Sequence, residues 1–174
     1  MSNNKFVLVP VDLLKNLKEL AKGTEYEDEV KKLLDSREAI ENHDVTKLPK
    51  SAVVKRVIDG DTVELFNGTV LRYTAITAPE EGENFAEEAT KLNQSLVEGK
   101  EIKLEYDNYT SDKFGRILAY PIIDNKNICI ELVSKGMAEL VIYQKRKPFI
   151  HQIKLLEAQE QAKKQKLGIW KNNN

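Results

Sequence analysis

Three short β-like runs joined by two tight turn signals, then a helix, two more strands and two closing helices, predict an α+β fold: a five-stranded OB-fold barrel with flanking helices, preceded by an N-terminal helical hairpin. A polar, proline-bearing stretch, HDVTKLPKS at 43–51, separates a purely helical pattern from the strands. The chain is therefore expected to divide into an extension at 1–48, a barrel domain at 49–171 and a polar tail at 172–174. Its 174 residues, 41% hydrophobic and 32% charged, suit one such domain with an appendage and are too apolar for a disordered chain.

In the extension, Leu13, Leu14, Leu17, Leu20 and Ala21 recur at helical spacing. Gly23-Thr24 interrupts them, and Val30, Leu33, Leu34, Arg37 and Ile40 form a second stripe. Two short helices cannot bury both stripes between themselves. The hairpin is expected to pack on the remaining chain, to bind a protein partner or to self-associate.

Val53, Val54, Val57 and Ile58 mark the first strand, and Asp59-Gly60 turns the chain into a second, DTVELF. Asn67-Gly68 turns it again into a third, which runs on to ITAPE, Ile76 to Glu80. Pro79 lacks a donor and fixes its own φ, so this strand exit is stiff. Residues 84–98 read as a helix with Phe85, Ala89, Leu92 and Leu96 inward, stopped by Gly99. EIKLEY and RILAYPII are strands four and five around DNYTSDKFG. ICIELVSKGMAEL, 128–140, reads as a short helix and 149–166 as a long one ending near Gly168.

A formal charge of −1 exerts no global pull on nucleic acid or acidic membranes. Residues 1–48 carry 8 basic and 10 acidic side chains and the rest 19 and 18, so any polyanion site has to be local. A single cysteine, Cys129, excludes an internal disulfide and a cysteine zinc site; within Ile128-Cys129-Ile130 it reads as a small core residue. The N-terminus has no basic n-region, long apolar core or A-x-A cleavage site, and no run approaches the roughly 20 apolar residues of a membrane span. A cytoplasmic protein is expected.

Four barrel elements carry polar residues that packing does not require. Asp61 follows the first turn, Arg72 sits inside strand three, Glu80 stands at the stiff exit, and Arg116 opens strand five. Singly, each is ordinary: a turn cap, a strand arginine with a buried stem, a solvated carboxylate, a loop charge. Together they match what phosphodiester hydrolysis requires. Arginine grips phosphate oxygens with a planar fork, a hard cation on oxygen ligands neutralises developing charge, and a fixed glutamate activates water.

VIDGDTVEL, LRYTAITAPE, DKFGRILAYPI, LVSKGMAEL and EAQEQAKKQKLGIW resemble, in unbroken order over about 52–170, the staphylococcal-type nucleases (thermonucleases, SNase-like domains). The resemblance implies a Ca²⁺-dependent endonuclease on an OB-fold, cutting DNA and RNA with little sequence preference. It implies Asp61 as a calcium ligand, with the Ala78 backbone carbonyl as another. Arg72 and Arg116 match the phosphate-binding arginines, Glu80 the general base, and Lys113 and Phe114 the residues that hold the nucleotide.

One position departs. Thr77 stands where the family pattern places a second calcium-binding aspartate. A hydroxyl coordinates but brings no charge, and ligand charge count tunes calcium affinity. The alternative is therefore a catalytically weakened module that binds nucleic acid or protein. Retention of Arg72, Glu80 and Arg116 together favours the enzyme. The basic runs at Lys145-Arg146-Lys147 and Lys163, Lys164 and Lys166 read either as solvated surface or as a rim facing a polyanion.

Overall fold

A computed structural model describes residues 11–28, 30, 31, 34, 48–112, 114–142 and 148–171. In chain order the strands are β1 (Ser51–Val57), β2 (Thr62–Leu65), β3 (Val70–Tyr73), β4 (Ile76–Thr77), β5 (Glu101–Glu105), β6 (Ile117–Ile123), β7 (Lys126–Asn127) and β8 (Glu139–Leu140). The helices are α1 (Val11–Ala21), α2 (Ala86–Val97), α3 (Ile128–Ser134) and α4 (Gln152–Lys164), with a 3₁₀ turn at Gly168–Trp170.

The barrel closes as predicted. β1, β2 and β3 form an antiparallel meander, β5 pairs antiparallel with β1, and β6 pairs antiparallel with β5. β6 then runs parallel to β3, with Leu71 opposite Ile117 and Arg72 opposite Leu118. This parallel seam shuts a five-stranded ring of OB-fold topology and removes its open edges. Val54, Val63, Leu65, Leu71, Ile102 and Ile117 fill it without exposure. Each such side chain contributes about 1.5–3 kcal/mol through burial. Cys129 is a fully buried free thiol, the core residue expected of it. α2 packs on β1 and α3, and α3 packs on α4 and β6.

Three elements differ from the sequence reading. Strand three does not run unbroken to ITAPE. Ala75 adopts a left-handed φ of 64°, the chain turns, and Ile76-Thr77 restarts as β4, paired with β8 rather than with the barrel. Consequently Glu139 and Leu140 form a strand, with Thr77 opposite Glu139 and Ile76 opposite Leu140. The helix before them stops at Ser134 because Gly136, at φ 66°, packs its backbone directly on that of Gly168. α2 starts at Ala86, after Phe85 at φ 69°; Ala89, Asn93 and Val97 are buried, Leu92 and Leu96 pack against the core as expected, and Phe85 is half-buried before the helix.

Of the hairpin, α1 and the turn beyond it are described. Thr24 N–H donates to the Ala21 carbonyl at 2.9 Å and Gly23 takes φ 77°. Ala21 and Leu34 are buried, whereas Leu20, placed on the apolar stripe, is 78% exposed. Arg37, Ile40 and the tail at 172–174 lie outside the described residues, as do the side chains of Leu13, Leu14 and Leu33. Among the described residues no helix is long and apolar enough to cross a membrane.

Candidate active site

The β2–β3 register places Arg72 opposite Thr62, which brings Asp61, one residue earlier, beside the guanidinium. Arg72 Nε lies 2.9 Å from Asp61 Oδ1. Its Nη1 donates to the carbonyls of Tyr73 and Ile76, both at 2.8 Å. Those carbonyls converge because the chain turns at Ala75 between them. An arginine inside a strand is thereby satisfied and immobilised.

Asp61 is 5% exposed. Oδ1 also accepts from the Thr62 hydroxyl at 2.9 Å, and Oδ2 accepts from the Ala78 N–H at 2.6 Å. Burial pushes its carboxyl up to about 6, against the pull of Arg72 and with a further push from Asp59. Asp61, Arg72 and the buried Ala78 form one hydrogen-bonded unit.

Arg116 is placed by a residue with no role assigned from the sequence. Asp112 Oδ2 accepts from Arg116 Nε at 2.7 Å, and Oδ1 accepts from the backbone N–H groups of Phe114 and Arg116 at 2.9 and 3.0 Å. The Arg116 guanidinium carbon sits 5.4 Å from the Phe114 ring centre. The available signal was an Asp beginning D-K-F-G, since an Asp side chain readily bonds backbone N–H groups two residues on.

Arg72, Thr77, Phe114 and Arg116 line one cleft of about 570 Å³, walled further by Tyr109 and Phe149. Glu80 is exposed and lines the adjoining cleft with Ala78, Glu83, Glu139 and Trp170; Thr77 lines both. The exit continues into an exposed turn. Glu80 N–H donates to Glu83 Oε2 at 2.8 Å and Glu83 N–H returns to the Glu80 carbonyl at 2.9 Å. The fold thus gathers Arg72, Thr77, Phe114 and Arg116 on one cleft, bonds the buried Asp61 to Arg72 and Ala78 without bringing it to either cleft, and places Ala78 with Glu80 on the adjoining one. Lys113 lies outside the described residues, as does the 145–147 run. Lys163 is engaged internally, 3.2 Å from Glu160 Oε1 and 4.9 Å from the Trp170 ring centre.

Asp61, Thr77 and the Ala78 carbonyl offer only oxygen, the donor set of a hard cation. Oδ1 of Asp61 already accepts two bonds, while Oδ2 accepts one and keeps a lone pair. Among the described residues no three carboxylate, histidine or cysteine groups converge on a metal position. In chemistry the set offers one carboxylate and two neutral oxygens.

Residues 70–172 match the family described as staphylococcal nuclease homologue. The chain is similar to the SPbeta prophage-derived endonuclease YokF of Bacillus subtilis, 35% identical over 68% of this chain and 43% of that protein. It is also similar to endonuclease YncB of the same organism, 34% identical over 69% of this chain and 61% of that one. A thermonuclease of Staphylococcus intermedius is 28% identical over 70% of this chain and 76% of its own length. The match thus spans less than two thirds of either Bacillus protein. The family match over residues 70–172, more than half of the chain, places the chain in the staphylococcal nuclease homologue family.

Proposed function

We propose that this chain is a metal-dependent endonuclease that hydrolyses DNA and RNA phosphodiester bonds with little sequence preference, Ca²⁺ being the favoured cation. One observation carries the reading: two arginines, each fixed by bonds to its own chain, face a single cleft. Fixed cations aimed at the place where phosphoryl charge grows need no reorganisation during reaction. A glutamate lies in the adjoining cleft, three residues beyond Thr77, which lines both.

Arg72 lines the cleft while its Nε is bonded to Asp61 and its Nη1 to two carbonyls. Arg116 offers the end of a guanidinium whose Nε is held by Asp112. The two contribute charge-assisted bonds to the phosphate oxygens. Glu80, exposed in the adjoining cleft, accepts a proton from the attacking water. Asp61, Thr77 and the Ala78 carbonyl are the groups that would hold a cation, which supplies polarisation of the phosphoryl oxygen. Phe114, 59% exposed, presents a ring face to a base.

Hydrolysis of single-stranded DNA, followed with Ca²⁺, with Mg²⁺ or Mn²⁺ and with chelator, tests the reading against Glu80→Gln. Cleavage that requires metal and drops by about 10²–10⁴ in Glu80→Gln is expected for loss of a general base. Binding without cleavage under every metal would overturn the enzyme and leave the binding module in its place. The exposed Leu17 and Leu20 of α1 are where a protein partner or second copy would dock. Removing residues 1–48 and measuring oligomeric state tests that separately.

A further inference from the structure

Helix α2 meets the Asp59–Asp61 turn at two positions one helical turn apart. Ala89 packs against Gly60 so closely that a Cβ on the glycine would lie 2.9 Å from the alanine methyl. Four residues on, Asn93 is fully buried and donates from Nδ2 to the Asp59 carbonyl at 3.0 Å. Its Oδ1 accepts from the Tyr73 hydroxyl at 2.8 Å. Tyr73 is 1% exposed, follows Arg72 in β3, and gives its own N–H to the Asp61 carbonyl at 2.9 Å.

A buried amide and a buried phenol are costly in a packed core unless each is satisfied. A leucine and a phenylalanine would fill similar volume with no such requirement, and replacing both partners by apolar groups of like shape is nearly neutral. The polar pair gains nothing in packing, but it ties three elements together: β3 through Tyr73, α2 through Asn93, and the turn through the Asp59 carbonyl.

We propose that Asn93, oriented by Tyr73, is a positioning residue that latches the Asp59-Gly60-Asp61 turn and thereby keeps the Asp61 carboxylate against Arg72 and the Ala78 amide. Its consequence for catalysis rests on the nuclease reading; its consequence for the turn does not. Without the Nδ2–H donor the Asp59 carbonyl rotates toward water, and the turn pivots about β2, to which Ile58 and Asp59 are bonded through the Thr62 carbonyl.

The test uses the full chain carrying Asn93→Leu with Tyr73→Phe, and Tyr73→Phe alone. Amide hydrogen exchange by NMR reads the latch directly, because the Ala78 N–H is held by Asp61 Oδ2. In the double variant this amide is expected to exchange faster by about tenfold or more, while the barrel amides of Leu104 and Leu118 stay within about twofold. Tyr73→Phe alone gives a smaller rise at the same amide, and decides the matter if the double variant does not fold. Calorimetric titration with Ca²⁺ is expected to show about tenfold weaker binding, and kcat on single-stranded DNA to fall more than KM changes.

Unchanged Ala78 exchange overturns the latch. So does a rise shared equally by the barrel amides, which marks a purely structural pair. A wild type that neither binds Ca²⁺ nor cuts DNA defeats the nuclease reading instead, and the exchange result still stands for or against Asn93.

Discussion

Replacing Gly60 by alanine perturbs the site through contact alone. Gly60 is not among the residues with positive φ, so alanine suits its backbone. A Cβ there would lie 2.5 Å from the Ala78 Cβ and 2.9 Å from the Ala89 Cβ. Carbon atoms rest about 3.5–4.0 Å apart, so the overlap is roughly 1 Å on two sides. Both neighbours are methyl groups with no rotamer to escape into, and backbone has to move. Such overpacking costs about 1–3 kcal/mol. At about 2–4 °C per kcal/mol for a domain of this size, Tm falls by roughly 2–12 °C. The displaced segments carry Asp61 and the Ala78 carbonyl, and a misplacement of about 1 Å costs on the order of 100-fold in rate. Thermal unfolding and DNA cleavage with Ca²⁺, measured on the same protein well below its Tm, read both effects. A Gly60→Ala protein with unchanged Tm refutes the packing of turn on helix; lower Tm with full rate refutes the coupling of that packing to the site.

Asp112→Asn keeps one acceptor for the two backbone donors but removes the charge that holds Arg116 Nε. Cleavage is expected to fall about tenfold or more with little loss of Tm, the charge-assisted bond being only partly buried; an unchanged rate would show Arg116 to be placed by the strand alone. Thr77→Asp adds an anionic oxygen beside Asp61 and Ala78, and calorimetry is expected to show Ca²⁺ affinity rising by about tenfold or more. No change would mean that the cation sits elsewhere. Glu64 on β2 bonds Lys55 Nζ at 2.7 Å and Arg56 Nε at 2.6 Å, and Lys55, then Arg56, hold its carboxyl below the ordinary 4.5. A lowered folded value means that its stabilisation is present above 4.5 and lost as pH falls through the lowered value. Glu64→Gln is therefore expected to lose up to about 1 kcal/mol at neutral pH, since both partners are half-exposed, with the difference vanishing in acid. An equal deficit at pH 3 and pH 7 in denaturant titrations would contradict the pairing.

The strands and their tight turns were legible because period-two patterning and turn chemistry are local. Asp61, Arg72 and Arg116 stood out for a related reason: charged groups at strand positions need partners. The partners themselves were not legible. Nothing near Arg72 in the chain signals that Ala75 turns left-handed and aims the Tyr73 and Ile76 carbonyls at one guanidinium. Asn93 looked like an unremarkable polar position in an amphipathic helix, and became a full-burial bridge only when α2 lay across a turn 34 residues away. Leu20 failed in the other direction, since its helical spacing marks an apolar face but not what covers it.

Sequence by itself determined the succession of the five barrel strands and the helix between them, the family resemblance and the neutral residue at Thr77, all carried by short-range patterns or by residue identity. Tertiary structure alone decided that β3 closes on β6, that β4 leaves the barrel to pair with β8, and that Glu80 faces a neighbouring cleft rather than the one shared by the arginines. The reason is physical: pairing between distant segments is set by which surfaces bury one another after collapse, and no local period encodes that choice.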